Sequence, residues 1–471
     1  MDFETFRKQA HRFSDWMTDY LETVEDRPVR SQVRPGDLLK QLPASPPGEG
    51  ESMDAIFADF ENLIMPGVTH WQHPSFFAYF NANSSPPSVL AEMLTATLGA
   101  QCMLWETTPA ANELETRMME WLRELSGLPA SFAGTIQDSG SASNLCALIA
   151  GRERATRRRA AHGGLPGEAQ LVVYASSEAH SSVEKAARIC GIGSDNVRKM
   201  APGDDFAMRP QDLAEAIAAD RAAGREPACV VACLGATGLG SVDPIRAIGE
   251  ICQRENLFFH IDGAWAGSAM ILPEERRWMD GIELADSYVF NPHKWLFTNF
   301  DCSAFYMRNP AELVDALAIS PAYLESPDGD EMPEYRDWSV ALARRFRALK
   351  LWFVIRSYGA DGLRALVRKH IDMAKWLEAE IEAAPDFEIM APRRFSLNAF
   401  RYNPGGRTEA ELDELNKQLT TAVNNSGRLY ITRTTANGRT VLRFVSGQTY
   451  TEPHHVEAGW QAIREIAAGL G

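Results

Sequence analysis

Between about residues 135 and 305 the apolar pattern changes period again and again. Short continuous runs rich in β-branched and aromatic residues, at Leu171–Tyr174, Cys229–Leu234, Leu257–Ile261, Ser287–Phe290 and Ser303–Met307, read as strands buried on both faces. Between them, Val183–Cys190, Gln211–Ala223 and Pro244–Glu255 carry apolar positions at helical spacing. Alternation of this kind predicts an α/β unit with a largely parallel sheet covered by helices. In such sheets ligands gather at the carboxyl ends of the strands.

The flanks differ. Phe3, Phe6, Ala10, Phe13, Met17, Tyr20 and Leu21 give one amphipathic helix over 3–21, and a second helical stretch runs from Met53 to Met65. A Pro/Gly-rich connector separates them, and the segment has too little apolar material for a core of its own. It is expected to wrap another surface, such as a second subunit. Residues 70–82 are crowded with aromatics, a composition that suits a core or a pocket wall. His70 and His73 precede Pro74 with no carboxylate nearby in sequence, which argues against a metal. Helical pattern resumes from Pro87 to Ser126, and a long helix is expected from Leu342 to Tyr358. The acidic stretch from Glu325 to Asp330 reads as a mobile loop. Near the end, Thr408-Glu409-Ala410-Glu411 is a capping box, and Asn437-Gly438 between Tyr430–Thr434 and Val441–Val445 is a hairpin turn. A last helix follows Pro453. The expected layout is an N-terminal helical segment (1–85), a large α/β domain (86–352) and a small C-terminal α+β domain (353–471).

Composition narrows the partners. A net charge of −16 without a long basic run speaks against nucleic acid and anionic membranes. The Arg157-Arg158-Arg159 triplet is expected on a solvated helix face. Seven scattered cysteines, with no CxxC pair or zinc spacing, are expected as reduced core residues. The polar N-terminus and the lack of a membrane-length apolar run lead to the expectation of a cytoplasmic enzyme.

Chemistry collects after the strand-like runs. Gly140-Ser141-Ala142-Ser143-Asn144 opens a helix, where unsatisfied N–H groups and the helix dipole favour an anion. His180 follows Leu171–Tyr174, just before Ser181-Ser182-Val183-Glu184, a further candidate capping box. Thr237 follows the next run, and Asp262 ends Leu257–Ile261 beside the small residues Gly263, Ala264, Gly267 and Ser268. Lys294, in Asn291-Pro292-His293-Lys294-Trp295, is flanked by apolar side chains that disfavour its ammonium form. An anion seat, an imidazole, a hydroxyl, a carboxylate and an amine together match a flat cationic heterocycle with a phosphate tail. Pyridoxal 5′-phosphate (PLP) is such a molecule.

The stretches His180–Ala186, His260–Ser268 and Asn291–Leu296 closely resemble group II PLP-dependent decarboxylases, nearest to the aromatic L-amino-acid decarboxylases. The resemblance extends over essentially the whole chain, including Pro74–Phe80 and Arg344-Arg345-Phe346-Arg347. It implies a fold-type-I PLP enzyme, a homodimer with shared active sites, that converts an amino acid to an amine and carbon dioxide. Under it Lys294 is the Schiff-base lysine, Asp262 the partner of the pyridinium nitrogen, His180 the stacked imidazole and Tyr323 the proton donor to Cα. The implied cofactor contacts are Ser141, Ala142, Ser143, His180, Thr237, Asp262, Ala264, Asn291, His293 and Lys294. The implied substrate contacts are Trp71, Tyr79, Phe80, Ala82, Met103 and His180, with no metal. Two stretches depart from the animal members of the family. Asn81-Ala82 replaces a proline and a threonine, and Gln101-Cys102-Met103-Leu104 replaces a common isoleucine-glycine-phenylalanine-serine run. Both bear on the substrate, with tryptophan, tyrosine, phenylalanine and dihydroxyphenylalanine all open. An aromatic aldehyde synthase, an aminotransferase on the same fold and a catalytically dead scaffold remain as alternatives.

Overall fold

The computed structural model describes residues 1–165, 170–319 and 332–470. The acidic stretch 325–330 lies outside them. The chain forms two compact units. The larger comprises Ala82–Lys375 and Ala391–Asn398, the smaller Met1–Asn81, Trp376–Met390 and Ala399–Gly471.

A seven-stranded sheet organises the larger unit: β1 (Ala133–Gln137), β2 (Leu171–Ser176), β3 (Val197–Met200), β4 (Glu226–Cys233), β5 (Phe258–Asp262), β6 (Ser287–Phe290) and β7 (Ser303–Met307). Their order across the sheet is β1-β7-β6-β5-β4-β2-β3. All pairs are parallel except those of β7, which is antiparallel to both β1 and β6. The five strands read from apolar runs are all present. β2, β5, β6 and β7 are buried from end to end, as a sheet covered on both faces requires. The two strands without an apolar run are the sheet's edges. β3 (Val197-Arg198-Lys199-Met200) is short and basic, which blunts an edge against pairing with other chains.

The helix Gly140–Thr156 crosses this sheet with most of its residues buried, so it shows almost no amphipathic signature. Gly151 permits the close approach. A Cβ there would lie 3.2 Å from the Cβ atoms of both Cys229 on β4 and Phe258 on β5. The stretch expected to be helical over 87–126 is two helices, Pro86–Leu98 and Pro109–Ser126, the first ended by Gly99 at φ +57°. The helix expected over 342–358 starts later, at Arg347, and after a break at Gly359 (φ +66°) continues to Ala383. The arginine triplet corrects another expectation. Arg157 and Arg158 take left-handed φ values of 53° and 62° and end the helix, so the triplet is an exposed junction and not a helix face.

In the smaller unit the first helix spans Phe3–Thr23. Phe13 stacks on Phe57 at 5.1 Å and Trp16 meets Phe60 edge-on, while Phe3 and Phe6 stay exposed. A second sheet has the order β10-β11-β9-β8, from β8 (Phe387–Arg394), β9 (Leu397–Tyr402), β10 (Thr432–Ala436) and β11 (Arg439–Val445). Asn437 (φ 50°) and Gly438 (φ 78°) close the β10–β11 hairpin, both left-handed as a type I′ turn needs. The capping box at Thr408 is formed: Glu411 N–H donates to Thr408 Oγ1 and Thr408 N–H to Glu411 Oε2. All seven cysteines are free and buried. Among the described residues no helix is long and apolar enough to cross a membrane.

Candidate active site

β2, β4, β5 and β6 run parallel, and β1 shares their direction because two antiparallel steps through β7 restore it. Five carboxyl ends therefore face one edge of the larger unit. At or just beyond these ends stand Gly140–Ser143, His180, Thr237, Asp262 and Lys294. The expected gathering of chemistry is thus built by the topology.

At the first junction, Ser139 caps the helix Gly140–Thr156, its hydroxyl accepting from Ala142 N–H at 3.2 Å. Ser141 is exposed and Ala142 half-buried, at the positive end of the helix dipole. Ser143 is buried, and its hydroxyl faces the Ser139 carbonyl (3.2 Å) and Ser303 Oγ (3.1 Å). Ser303 in turn donates to Asn291 Oδ1 at 2.6 Å. A Cβ on Gly140 would lie 3.1 Å from Asn291 Nδ2 and 3.5 Å from Ala264 Cβ. Glycine leaves that cradle open, whereas a side chain there would press on Asn291.

Asp262 lies at the end of β5 and is 9% exposed. Its Oδ1 accepts from Ala264 N–H at 3.0 Å and its Oδ2 from Asn144 Nδ2 at 2.9 Å. Each carboxylate oxygen has two lone-pair sites, so these bonds leave capacity for a further donor. Asn144 also donates to Ser182 Oγ (2.8 Å), and its Oδ1 meets His260 Nε2 (2.8 Å). His260 is fully buried, with Nδ1 at 2.8 Å from Ser287 Oγ, and burial lowers its pKa to about 4. It is a neutral imidazole.

His180 is exposed at the same edge. Its Nδ1 lies 2.7 Å from Ser182 Oγ and accepts from Ser182 N–H at 3.2 Å. The capping box expected at Ser181 is not formed. Ser181 adopts helical φ/ψ with no side-chain cap bond, and the His180 ring takes over the capping of this turn. Loss of hydration lowers the His180 pKa; the charge of Asp262 opposes this and that of Lys294 reinforces it.

Lys294 sits in a single helical turn, Pro292–Trp295, directly after β6, with Pro292 in the first turn where its missing N–H costs nothing. Lys294 N–H donates to Asn291 O (2.9 Å), and Asn83 clamps the turn from outside. Asn83 Nδ2 donates to Lys294 O at 2.5 Å and Asn83 N–H to His293 O at 3.1 Å. Trp295 is buried, stacked on Trp265 at 5.2 Å, and donates from Nε1 to His370 Nδ1. In this apolar bed desolvation lowers the Lys294 pKa, against the opposing pull of Asp262. The neutral amine is the form that attacks a carbonyl.

The remaining candidates separate. Thr237 is exposed, Ala264 half-buried, and Asn291 buried with its backbone N–H on Ala264 O. His293 is buried, and its Nδ1 accepts from Cys302 N–H at 2.8 Å, tying the lysine turn to β7. Burial lowers its pKa to about 3. Ala82 and Met103 are half-buried in the larger unit. Tyr323 lies outside the described residues. Trp71, Tyr79 and Phe80 belong to the smaller unit, where the aromatic cluster divides into two parts. Phe76 and Phe77 are core, whereas Trp71 and Tyr79 are exposed and stacked on each other at 5.7 Å. Tyr79 OH meets Tyr430 OH at 3.1 Å, and the Arg443 guanidinium lies 5.2 Å from the Phe80 ring centre.

Sequence reasoning assigned no role to Asn144, His260, Asn83 or Ser303. The signal was there for two of them. His260 is two residues before Asp262 and so shares its face of β5, and Asn144 is one helical turn past Gly140.

One further group, Glu25, His454 and His455 in the smaller unit, has metal-ligand residue types within reach of each other. His455 Nδ1 accepts from Glu452 N–H at 3.0 Å while Nε2 faces Glu25 at 3.2 Å. The ring proton therefore belongs on Nε2, and a protonated nitrogen cannot ligate a metal.

At the main site, an acid with spare acceptor capacity, an amine biased toward its neutral form and a glycine cradle at a helix N-terminus fit the ring nitrogen, aldehyde and phosphate of PLP. Comparison with known proteins agrees. Residues 35–403 match the pyridoxal-dependent decarboxylase conserved domain. The chain is 41% identical to tyrosine decarboxylase 1 of Narcissus pseudonarcissus, covering 100% of this chain and 94% of that protein. It is 42% identical to the phenylacetaldehyde synthase of Arabidopsis thaliana, covering 100% and 97%. The crystal structure of Oryza sativa TDC with PLP and tryptamine superposes with a TM-score of 0.96 at 35% identity, covering 100% of this chain and 99% of that one. The fold is therefore fold type I and PLP is the cofactor. The chain belongs to the pyridoxal-dependent decarboxylase family.

Proposed function

We propose that the protein decarboxylates an aromatic L-amino acid, releasing carbon dioxide and the corresponding amine. The observation that carries this reading is the meeting of Lys294, Asp262 and His180 at one sheet edge, in a chain about two-fifths identical to a tyrosine decarboxylase along its whole length. Bound there, PLP supplies an electron sink for the charge left on Cα when carbon dioxide departs. Lys294 would hold the cofactor through its amine, biased toward the neutral form by desolvation. Asp262 keeps a proton on the ring nitrogen, and a pre-placed charge of this kind is among the larger contributions to catalysis. His180 would stack on the ring, and Tyr323 would supply the proton to Cα.

Ser141, Ala142, Ser143, Thr237, Ala264, Asn291 and His293 are proposed, on the family resemblance, to line the cofactor. Trp71, Tyr79, Phe80, Ala82 and Met103 are proposed on the same ground as substrate contacts. The exposed ring faces of Trp71 and Tyr79 suit an aromatic side chain. A homodimer formed by residues 1–85 together with the helix Pro86–Leu98 is part of the proposal. Leu90, Met93, Leu94 and Leu98 expose one apolar face of the helix Pro86–Leu98, and Phe3 and Phe6 are exposed on the helix Phe3–Thr23. Residues 86–352 would then form the PLP-binding domain and 353–471 the small domain of each subunit. A cytoplasmic location accords with the free cysteines.

The 42% identity to a phenylacetaldehyde synthase supports a second reading, oxidative decarboxylation-deamination to an aldehyde. Carbon dioxide, amine and peroxide measured together across the twenty amino acids separate the two. Carbon dioxide and amine in equal amounts from an aromatic substrate support decarboxylation. Peroxide in step with carbon dioxide supports the synthase. A keto acid without carbon dioxide contradicts both.

A further inference from the structure

Asn144 stands between the two groups that matter most at this edge. It is 1% exposed, and its three polar contacts run to Asp262, Ser182 and His260. The direction of each bond follows from chemistry. The Asp262 carboxylate can only accept, so Asn144 turns its NH2 toward it and its Oδ1 toward His260. His260 must then carry its proton on Nε2 and accept from the Ser287 hydroxyl at Nδ1. The second Asn144 N–H takes one lone pair of Ser182 Oγ, which keeps the Ser182 hydroxyl hydrogen off that side and leaves His180 Nδ1 as the acceptor 2.7 Å away. The Ser182 backbone N–H already points at the same nitrogen. Nδ1 of His180 therefore accepts twice, and the ring's one proton is left at Nε2.

We propose that Asn144 is a positioning residue that couples the Asp262 carboxylate to the protonation state of His180, through Ser182. The inference rests on the proposed roles of those two residues and adds the link between them. An imidazolium at His180 would need an acceptor opposite Nδ1, where there stand the Ser182 backbone N–H, which can only donate, and Ser182 Oγ, one of whose two lone pairs Asn144 already occupies. Removing the Asn144 amide frees that lone pair and lets the Ser182 hydroxyl turn its hydrogen away from Nδ1, so the imidazolium becomes easier to form. The same change takes one of the two hydrogen bonds from Asp262. The other charged groups acting on His180 are Asp262, which favours imidazolium, and Lys294, which opposes it.

The test uses two variants of the full chain with ¹⁵N-labelled histidine, the His180 signal being assigned by its loss in His180→Gln. In the wild-type protein without cofactor, His180 is expected as the Nε2–H tautomer. In Asn144→Leu its titration midpoint is expected to rise by about one pH unit, and the Kd for PLP by about tenfold, each equivalent to the loss of one good hydrogen bond. Ser182→Ala leaves the Asn144–Asp262 bond in place. It should move the His180 midpoint in the same direction while the PLP Kd stays within about twofold. A folded Asn144→Leu protein with unchanged His180 titration and PLP affinity overturns the coupling. If Asn144→Leu does not fold, an unchanged His180 midpoint in Ser182→Ala overturns it instead. These readings need no turnover. A holoenzyme that releases no carbon dioxide would therefore contradict the proposed function and leave the coupling standing.

Discussion

Gly140 and Asn291 approach so closely that a Cβ added to Gly140 would stand 3.1 Å from Asn291 Nδ2, although 151 residues separate them. Asn291 cannot move aside easily, because Ser303 holds its Oδ1 at 2.6 Å and its N–H is bound to Ala264 O. Gly140→Val would thus fill the cradle at the helix N-terminus. The expected outcome is a PLP Kd raised at least about tenfold with the far-ultraviolet circular dichroism spectrum unchanged, the loss of about one strong anion contact. Fluorescence titration with PLP measures it, and an unchanged Kd would remove Gly140 from the cofactor site.

Glu115 and Arg344 form a buried ion pair, 3% and 4% exposed. Glu115 Oε1 also accepts from Thr135 Oγ1 and Ile136 N–H, both at 2.8 Å, and Arg344 reaches Ile136 O at 3.1 Å. The pair pins the segment before the helix Arg347–Ala383 to β1. Glu115→Ala strands the guanidinium in the interior and should cost about 3–5 kcal/mol in urea unfolding. A loss below about 1 kcal/mol would mean that water or another acid replaces Glu115.

Acid should weaken the fold before it reaches the ordinary carboxylate range. Burial holds His73 and His260 at about 4 and His293 at about 3, against 6.5 for an exposed histidine. Between pH 6.5 and 4 the unfolded chain therefore binds more protons than the folded one, so stability falls as pH falls through that window. Asp243, raised to about 6 by burial, works the other way over part of it, as do Glu178 and Glu334, also raised by burial, while His70 and His180, lowered by burial, add to the histidine side. The urea midpoint should drop steadily from pH 7 to 4.5. A flat or rising midpoint would show that these rings are solvated.

Lys294 is set for chemistry and not for stability. Its amine is desolvated in the apolar bed around Trp295, which the protein without cofactor must tolerate. Lys294→Met should therefore raise the apo-protein's Tm while abolishing carbon dioxide release. A lower Tm would mean that the ammonium makes stabilising contacts that outweigh its desolvation.

How far the sequence alone leads is clear from particular residues. β2 and β4–β7 were legible because continuous apolar runs have few other uses in a soluble chain. Asp262 and Lys294 were legible because polar residues directly after such runs fall at the ligand edge. β1 and β3 were not, since edge strands can do without an apolar run. Nor was the break at Gly359, where the chain turns and then continues as helix. The Ser181 capping box misled because the spacing is right but His180 supplies the acceptor. Asn144 stayed hidden for a different reason. Its role exists only once β5 and the helix Gly140–Thr156 are packed together, and no local pattern records that contact.

The account stands or falls on which amine carries the cofactor. Borohydride reduction of the holoenzyme followed by proteolysis and peptide mass spectrometry reads this directly. The account predicts a single pyridoxyl phosphate adduct on Lys294, in the peptide containing Asn291-Pro292-His293-Lys294-Trp295. A stoichiometric adduct on any other lysine, with Lys294 unmodified, would contradict it.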